Sequence, residues 1–456
     1  MYIQQIYTDC LAQASYYIES QGEAIIIDPI RDSEPYLQFL KERNAKLKYI
    51  FETHFHADFV SGHIELAKLT SADIVFGPNA DTSYNCIVAA DGQEFFIGDF
   101  VFRALHTPGH TMESTCYLLL SKDQKELAVF TGDTLFIGEV GRPDLAVNPT
   151  LTSADLAKNL YNSLHNILME LPDDVVVYPG HGAGSACGKN ISLEKQSTIG
   201  EQKKFNYALQ PMSQDQFVKI VLDGISLAPE YFTHDVNMNK NGYESVSSVL
   251  TKSLKQLTVN EIEKLVNNGA IILDVRLPND FEKGFIPSAI NIGKAGMFAP
   301  WVATLIAPSQ KVILVCNINE EKEVISRLAR VGLENIIGYV YGVKQWLISG
   351  KPIDVIESIT AAEMEIEPID SKILDVRKPS ELAVGFVKGS SNVPLDTLQK
   401  ELDTTQHLDA RNQPILVYCA GGYRSMIASS ILKARGYKKV KNIYGGYSSI
   451  SQNQKC

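Results

Sequence analysis

The chain has 456 residues, of which 45% are hydrophobic and 21% charged, and its formal net charge is −11. This length corresponds to roughly three domains, and the composition is that of ordinary globular domains with enough apolar residues for several cores. Nucleic acids and anionic membranes are bound by concentrated Lys and Arg, so the negative charge excludes both as expected partners. No apolar run approaches the ~20 residues of a membrane-spanning helix.

The seven cysteines are scattered, odd in number and free of CxxC pairs. This pattern is typical of a reducing compartment, where any special thiol acts singly. Residues 1–6 contain neither the basic nor the apolar segment of a secretory leader. We therefore expect a cytoplasmic protein.

The first element that carries chemistry is the apolar run 47–51, a predicted buried strand, which is followed by Thr53-His54-Phe55-His56-Ala57-Asp58-Phe59. Two histidines at i and i+2 with an aspartate at i+4, in the turn after a strand, can converge on one metal ion. Phe59 stands where a further histidine would complete a second metal site, and a phenyl ring binds no metal. This replacement shifts the expected chemistry from two-metal hydrolysis towards one metal with open coordination positions.

Three further metal-type side chains follow predicted strands. They are His110 after the run 100–105, Asp133 after the run 127–130, and His181 after the run 175–178. Each lies in a turn that contains glycine, which lets the backbone turn tightly beside an ion. We expect these strand ends to form one site along the edge of one sheet.

In this order of motifs, residues 1–245 resemble the metallo-β-lactamase superfamily, whose members carry HxHxDH and then a later His, Asp and His. The resemblance implies an α/β fold of the αββα sandwich type. In hydrolytic members, including glyoxalase II, the first metal would be held at the positions of His54, His56, His110 and Asp133. The second would be held at the positions of Asp58, residue 59, the bridging Asp133 and His181. Phe59 leaves that second site incomplete.

Within the superfamily, the chain is more similar to the persulfide dioxygenases, whose single iron is held at positions matching His54, His110 and Asp133. Two histidines and one carboxylate form a facial arrangement that leaves three positions for substrate sulfur, oxygen or water. The resemblance thus implies one Fe(II) per chain and the oxidation of a thiol persulfide, R–S–SH, by O2 to sulfite and the thiol.

The same resemblance implies roles for neighbouring residues. His56 and Asp58 would lie behind the ligands and orient them or a water molecule. His181 would lie near the substrate rather than on the metal. Arg142 matches an arginine that helps to hold the thiol carrier, the alternative being a surface ion pair. Cys187 could meet the persulfide as a sulfur relay or gate, or could simply pack as a small residue.

A zinc ion at the same residues could instead activate water. The alternative function is therefore a zinc-dependent, glyoxalase-II-like thioester hydrolase fused to the C-terminal part of the chain. Phe59 and the nature of the C-terminal domains favour the dioxygenase.

The second half of the chain contains a duplication. The sequence Ile272-Leu273-Asp274-Val275-Arg276 returns at 373–377, and 312–316 matches 415–419. Each repeat alternates short apolar strands with helical stretches, which predicts a small α/β domain with a parallel sheet. Residues 237–251, rich in Asn, Ser and Lys, are the best linker candidate. The expected domains are 1–245, 256–352 and 358–456.

The second repeat carries Cys419-Ala420-Gly421-Gly422-Tyr423-Arg424 between a predicted strand and a helix expected to begin near Ser425. In such a loop, backbone N–H groups point at an anion and the helix N-terminus adds positive potential. Gly421 and Gly422 permit the tight curl, and Arg424 supplies a fixed cation. These surroundings favour a thiolate nucleophile.

This loop, together with the strand that ends in Asp375-Val376-Arg377, resembles the rhodanese sulfurtransferases. In that family four residues between Cys and Arg fit a persulfide, whereas five residues in related phosphatases fit a phosphate or arsenate. The resemblance implies that Cys419 carries sulfane sulfur as a persulfide, stabilised by Gly421, Gly422, Tyr423 and Arg424. Phe386 stands where many rhodaneses have histidine, and we expect it to affect packing only.

The first repeat keeps the scaffold but loses the loop. Cys316 is followed by Asn317-Ile318-Asn319-Glu320-Glu321, with neither glycine nor arginine at the matching place. Two carboxylates there would repel an anionic substrate and raise a thiol pKa. We expect an inactive rhodanese-like domain that positions its neighbours or builds an oligomer interface, with Asp274 and Arg276 in structural roles.

The whole order resembles the persulfide dioxygenase–sulfurtransferase fusions of bacterial sulfide detoxification. It implies a bifunctional enzyme in which one site makes sulfite and the other joins sulfite to sulfane sulfur as thiosulfate, or runs the reverse. Glutathione, coenzyme A and other small thiols all fit the role of carrier. Family members commonly self-associate, so we expect a homo-oligomer. A hypothesis from another class is a non-catalytic sulfur relay or sensor in which Cys419 hands persulfide to a partner.

Overall fold

The computed structural model describes residues 1–225, 227–404 and 412–453, and Cys456 lies outside the described residues. The chain divides into two compact units, Met1–Val246 with Ala329–Gly332, and Ser247–Leu328 with Leu333–Cys456. Over the described ranges, no helix combines the length and the apolar character needed to cross a bilayer. The three domain ranges expected from the sequence stay predictions.

The strands of the first unit form two six-stranded sheets. The first sheet contains, in spatial order, β1 (Tyr2–Thr8), β2 (Gln13–Ser20), β3 (Glu23–Ile27), β4 (Lys46–Phe51), β5 (Asp73–Phe76) and β6 (Ile87–Val88). The second contains, in the same manner, β7 (Glu94–Ile97), β8 (Phe100–His106), β9 (Thr115–Ser121), β10 (Glu126–Gly132), β11 (Val176–Pro179) and β12 (Ser197–Thr198). The strands predicted before the metal-type residues are thus confirmed.

The helices of this unit are α1 (Glu34–Glu42), α2 (His63–Thr70), α3 (Ser153–Asn166), α4 (Ile199–Phe205), α5 (Gln214–Leu222) and α6 (Tyr231–Asn241). The hydroxyl of Thr152 accepts a hydrogen bond from the Asp155 N–H, and the Asp155 carboxylate accepts one from the Thr152 N–H. This reciprocal cap explains where α3 begins.

The residues of β9 show how the layers are built. Tyr117 and Leu119 belong to the core between the two sheets, whereas the alternate residues Leu118 and Leu120 pack with the helices outside. Because successive strand side chains point to opposite faces, one strand serves both cores. Helices α3 and α5 pack on this outer face. Helix α2 covers the outer face of the other sheet, which confirms the αββα sandwich.

The linker candidate 237–251 contains the boundary between the two units, at Val246 and Ser247, but most of the segment is helical rather than irregular. It covers the end of α6 and most of α7 (Val246–Ser253). Asn239 is buried, and its amide donates to the carbonyls of His56 and Phe59 at 2.8 and 2.9 Å. Asn239 thus serves the fold of the first unit, whereas Asn237, Asn241 and Ser247 are exposed.

The second unit contains two parallel sheets, with strand orders β14-β13-β15-β16 and β17-β21-β20-β18-β19. The first consists of β13 (Ile271–Asp274), β14 (Ile290–Asn291), β15 (Val312–Cys316) and β16 (Ile336–Tyr341). The second consists of β17 (Glu357–Ile359), β18 (Lys372–Asp375), β19 (Ser391–Asn392), β20 (Ile415–Tyr418) and β21 (Val440–Ile443). The duplication and the parallel sheets predicted from the sequence are confirmed.

The helices of the two repeats follow the same alternation with strands. They are α8 (Val259–Asn267), α9 (Pro278–Phe281), α10 (Phe298–Leu305), α11 (Glu321–Ala329), α12 (Lys344–Ile348), α13 (Ala361–Met364), α14 (Leu398–Thr404), α15 (Tyr423–Ala434) and α16 (Gly446–Asn453). Helix α15 begins at Tyr423, two residues before the predicted start.

The repeated Asp-Val-Arg sequence makes the same buried contacts in both repeats. Arg276 donates to both carboxylate oxygens of Asp274, the shortest contact being 2.6 Å, and to the Gly284 carbonyl at 3.0 Å. Arg377 makes the equivalent contacts in the second repeat. Each arginine thus ties the end of a central strand to the loop eight residues later, as expected of structural residues.

Candidate metal centre and sulfur-transfer loop

Three predicted metal-binding residues meet where strands of both sheets of the sandwich end. His54 follows β4, His110 follows β8, and Asp133 follows β10. The Asp133 Oδ2 atom lies 3.8 Å from Nε2 of His54 and 3.6 Å from Nε2 of His110. The expected site along one sheet edge is wrong in this respect, because β4 belongs to the first sheet and β8 and β10 to the second.

Hydrogen bonds fix both imidazoles so that Nε2 faces the carboxylate. Nδ1 of His54 lies 2.9 Å from the Thr53 hydroxyl, and Asp28 accepts from the Thr53 N–H and hydroxyl at 2.7 and 2.8 Å. Nδ1 of His110 donates to the Arg142 carbonyl at 2.8 Å. Such partners behind a ligand select its tautomer and hold its ring.

The three residues fit a metal ion. One donor atom from each lies within 4.8 Å of the others, and all three side chains are buried. Asp133 Oδ2 has no hydrogen-bond partner in the structure, and a buried orphan carboxylate oxygen is costly unless a cation satisfies it. This is the donor set of a two-histidine, one-carboxylate centre.

The protonation of these groups also suits a metal. Burial lowers the pKa of His54 and of His110, which keeps their rings neutral. Burial alone would raise the pKa of Asp133, but the charge and hydrogen bond of His181, with the other histidines, hold that pKa well below its usual value. Neutral imidazole and ionised carboxylate are the forms that bind metals.

In the superfamily's second metal site, His181 is hydrogen-bonded to Asp133 and lies close to Asp58. Nδ1 of His181 lies 2.7 Å from Asp133 Oδ1, and its Nε2 lies 3.0 Å from Asp58 Oδ2. These two carboxylates raise the pKa of His181 well above its usual value, although burial acts in the opposite direction. The buried Phe59 ring lies 4.3 Å from the His56 ring, centroid to centroid.

His56 is not one of the three clustered donors, although its ring lies 4.2 Å from the ring of His54, centroid to centroid. Nε2 of His56 lies 3.1 Å from Asp28 Oδ1 and 3.5 Å from Glu52 Oε2. This position is compatible with the predicted orienting role. The sequence reasoning missed Asp28 and Glu52, although each directly follows an apolar run, 24–27 and 47–51 respectively, which is a detectable signal.

The residues predicted on the substrate side are buried. Arg142 is 5% exposed and donates to both oxygens of Asp144 at 2.7 and 2.8 Å, so it is not a surface ion pair. One donor atom each from Cys187, Asp58 and His181 lies within 4.8 Å of the others, so these residues form a second buried group of metal-ligand type. Burial and neighbouring carboxylates raise the pKa of Cys187 well above the ordinary value, which favours the neutral thiol. Substrate contacts of Arg142, His181 and Cys187 stay predictions.

The sulfur-transfer loop curls around the Cys419 thiol. The Gly422 N–H donates to Sγ at 3.1 Å, and Gly422 adopts φ +102°, a conformation that favours glycine. Gly421 has no positive φ and open space at its Cβ position, so the curl does not require glycine there. Helix α15 begins directly after the loop, which places its N-terminus close to the sulfur.

Arg424 is held by a residue that the sequence reasoning missed. Its Nη1 and Nη2 donate to the two carboxylate oxygens of Glu381 at 2.6 and 2.7 Å. Such a two-point contact fixes the plane of a guanidinium. The hydrogen bond to Arg424 lowers the pKa of Glu381, which stays ionised. A sequence signal for Glu381 existed, because a carboxylate, Asp280, occupies the matching position of the first repeat, 101 residues earlier.

We expect Glu381→Gln to lower kcat/KM for thiosulfate:cyanide sulfur transfer by about tenfold to a hundredfold, because a misplaced catalytic group loses rate steeply. KM for thiosulfate should rise as Arg424 loses its orientation, while the melting temperature changes little. Asp280→Asn is the matched control and should leave transfer unchanged. Equal kinetics for the two variants would contradict a positioning role for Glu381.

The first repeat offers no comparable thiol. Cys316 is buried at the end of β15, and burial together with Glu321 and Glu320 raises its pKa to about 12. This supports the expectation of an inactive domain. Phe386 is 60% exposed and packs little in this structure, and its effect stays a prediction.

Comparisons with known proteins follow the same division of the chain. A family model described as the Metallo-beta-lactamase superfamily matches residues 8–181, and the Rhodanese-like domain model matches residues 258–349 and 359–453. A probable hydroxyacylglutathione hydrolase of Schizosaccharomyces pombe is 34% identical over 206 residues, which cover 40% of this chain and 75% of that protein. The chain belongs to the metallo-beta-lactamase superfamily. Its two C-terminal repeats are rhodanese-like domains, and the predicted domain types and fold class are confirmed.

Other relatives of the superfamily domain include the mitochondrial persulfide dioxygenase ETHE1 of Homo sapiens, which is 31% identical over 205 residues, covering 44% of this chain and 71% of that protein. A metallo-beta-lactamase structure from Staphylococcus aureus aligns with a TM-score of 0.67 and 28% identity over 75% of this chain and 99% of that one. The family is one of metal-binding enzymes, and its members include both hydrolases and a dioxygenase.

Proposed function

We propose that the first unit is a persulfide dioxygenase with one Fe(II) per chain at His54, His110 and Asp133. The last repeat would be a sulfurtransferase that acts through Cys419. The observation that supports the first part is the hydrogen bond of 2.7 Å between His181 Nδ1 and Asp133 Oδ1, which occupies the carboxylate oxygen that would bridge to a second metal. Phe59 adds no donor there.

A single metal with two histidines and one carboxylate favours oxygenation over two-metal hydrolysis. When bound, ferrous iron supplies open positions at which dioxygen and sulfane sulfur can react. The chain's own residues hold the donors in place, because Thr53 orients His54 and His181 leaves only Oδ2 of Asp133 free. The balanced reaction takes R–S–SH, O2 and water to R–SH, sulfite and two protons.

The Cys419 loop supports the second part. The Cys419 thiolate would attack the outer sulfur of thiosulfate, and the S–S bond would break as sulfite leaves with the electron pair. The Gly422 N–H, 3.1 Å from Sγ, and the Glu381-held Arg424 favour the anionic sulfur that results. A thiolate or cyanide then takes the sulfane sulfur and restores Cys419.

The two reactions share sulfite. The first site would produce it, and the second would consume or release it. We accordingly propose a small thiol persulfide, O2, and sulfite or thiosulfate as the partner molecules. A cytoplasmic location and a homo-oligomer stay predictions.

The second candidate is a zinc-dependent thioester hydrolase of the glyoxalase II type. It is favoured by the sequence similarity to hydroxyacylglutathione hydrolases, one of which is 34% identical to this chain over 206 residues. The two candidates use the same three donors, so the metal and the substrate distinguish them.

The experiment compares metal-free protein reconstituted without air with either Fe(II) or Zn(II). We expect oxygen uptake with synthetic glutathione persulfide only in the iron form, together with sulfite, and negligible thioester hydrolysis in the zinc form. Absence of uptake with iron, alongside good hydrolysis of a glutathione thioester with zinc, would replace the proposal by the hydrolase.

A further inference from the structure

A cavity of about 400 Å³ opens beside Cys419, and residues from both repeats line it. The last repeat contributes the thiol, Gly421, Tyr423 and Arg424, and the first repeat contributes Met297 and Trp301. Met297 directly precedes α10, and Trp301 lies in its first turn. The repeat without a functional thiol therefore forms one wall of the site on its neighbour.

Direct contacts hold this wall against the loop. The Tyr423 hydroxyl donates to the Gly293 carbonyl at 2.8 Å, four residues before Met297. The Asn291 N–H donates to the Ser430 hydroxyl at 2.9 Å. Met426 of α15 packs within the core of the first repeat. These contacts between the two repeats fix the positions of Trp301 and Met297 relative to Cys419.

The lining of the cavity combines two kinds of surface. Arg424 lines it together with Cys419, whose Sγ accepts a hydrogen bond from the Gly422 N–H, and these groups suit an anionic sulfur atom. The indole of Trp301 and the thioether of Met297 add apolar, polarisable surface. Thiosulfate is a compact dianion and needs only the first kind of surface. A volume of this size falls in the range of sites that hold small organic ligands.

We propose that the inactive repeat is a substrate-recognition wall, and that the Cys419 site takes an organic persulfide whose carbon-bearing part lies on Trp301 and Met297. This inference rests on the proposed sulfurtransferase function. It assigns to the first repeat a role in choosing the sulfur donor, besides any structural one.

The chemistry needs no added oxidant or reductant. The Cys419 thiolate attacks the terminal sulfur of R–S–SH, the bond between the two donor sulfurs breaks, and R–S⁻ leaves with the electron pair and takes up the proton. Cys419 becomes a persulfide, which transfers its outer sulfur to cyanide or sulfite. The organic thiol is released in the step that the wall governs.

The test compares two sulfur donors, thiosulfate and synthetic glutathione persulfide, with cyanide as the acceptor and the full chain as the enzyme. We expect Trp301→Ala and Met297→Ala each to lower the ratio of kcat/KM for the persulfide to kcat/KM for thiosulfate by about tenfold, the scale of a lost apolar contact. Trp301→Phe should restore most of the ratio. Leu347→Ala, an exposed residue of the same repeat, should leave it unchanged.

The inference is overturned if both alanine variants keep the ratio of kcat/KM for the persulfide to kcat/KM for thiosulfate. This holds whether the two donors lose activity equally or lose none. The sulfurtransferase function would still stand. If the unmodified protein transfers sulfur from neither donor, the sulfurtransferase function itself is overturned. If Trp301→Ala unfolds, as judged by its melting temperature, Met297→Ala and Trp301→Phe decide the question.

Discussion

Replacing Cys419 by serine should lower thiosulfate:cyanide sulfur transfer by at least about a thousandfold, the scale of losing a covalent nucleophile. A serine hydroxyl is a weak nucleophile and cannot hold a persulfide. The surrounding loop gains no bulk, because the change replaces one buried sulfur by oxygen. Thiocyanate formation measures the reaction, and mass spectrometry of the protein after thiosulfate treatment measures the persulfide itself.

Cys316→Ser is the matched control, because Cys316 occupies the corresponding position of the first repeat and its pKa is raised to about 12 by burial and two carboxylates. Transfer should be unaffected. Oxygen uptake should remain largely intact in both variants, since neither cysteine belongs to the proposed iron site. Loss of transfer in Cys316→Ser, or its survival in Cys419→Ser, would reverse the assignment of active and inactive repeats.

The second large effect is expected for His54→Gln. Removing one of three ligands should reduce metal content from about one ion per chain to a small fraction, because affinity depends on ligand count and geometry. Persulfide-dependent oxygen uptake should be lost with the metal. Elemental analysis of protein purified without air measures the first effect, and an oxygen electrode measures the second.

His106→Gln is a suitable control, because this half-buried imidazole lies in the same domain and donates to the Met112 carbonyl at 2.9 Å, outside the three-residue cluster. It should retain metal and oxygen uptake. Sulfur transfer through Cys419 should persist in both variants. Full metal content in His54→Gln would mean that the ion is held elsewhere, and would refute the proposed ligand set.

Much of the fold could be predicted from local patterns. Alternating and continuous apolar runs gave the strands before His54, His110, Asp133 and His181, and the duplicated Asp-Val-Arg sequence gave two parallel sheets. These signals work because the hydrophobic pattern and the length of a strand can be read from a short stretch of neighbouring residues. The segment 237–251 contains the boundary between the two units, but its composition did not reveal the helices that occupy most of it.

The candidate site was only partly predictable. The metal-type residues follow a recognisable order, but their assembly from two different sheets depends on how the sandwich closes. Trp301 carries no motif of its own, and the sequence positions of Asp28 and Glu381 do not reveal their partners. Each gains its role from a neighbour far away in sequence, respectively Cys419, Thr53 and Arg424. Only the tertiary structure brings such pairs together.

The number of metal ions per chain tests the central claim most directly. Metal-free protein would be titrated with Fe(II) without air, and bound metal would be measured by elemental analysis after removal of the excess. The hydrogen bond between His181 and Asp133, together with Phe59 in place of a further donor, predicts saturation at one ion per chain. Saturation at two ions per chain, or a paired metal cluster at these residues in a crystal structure, would contradict the account.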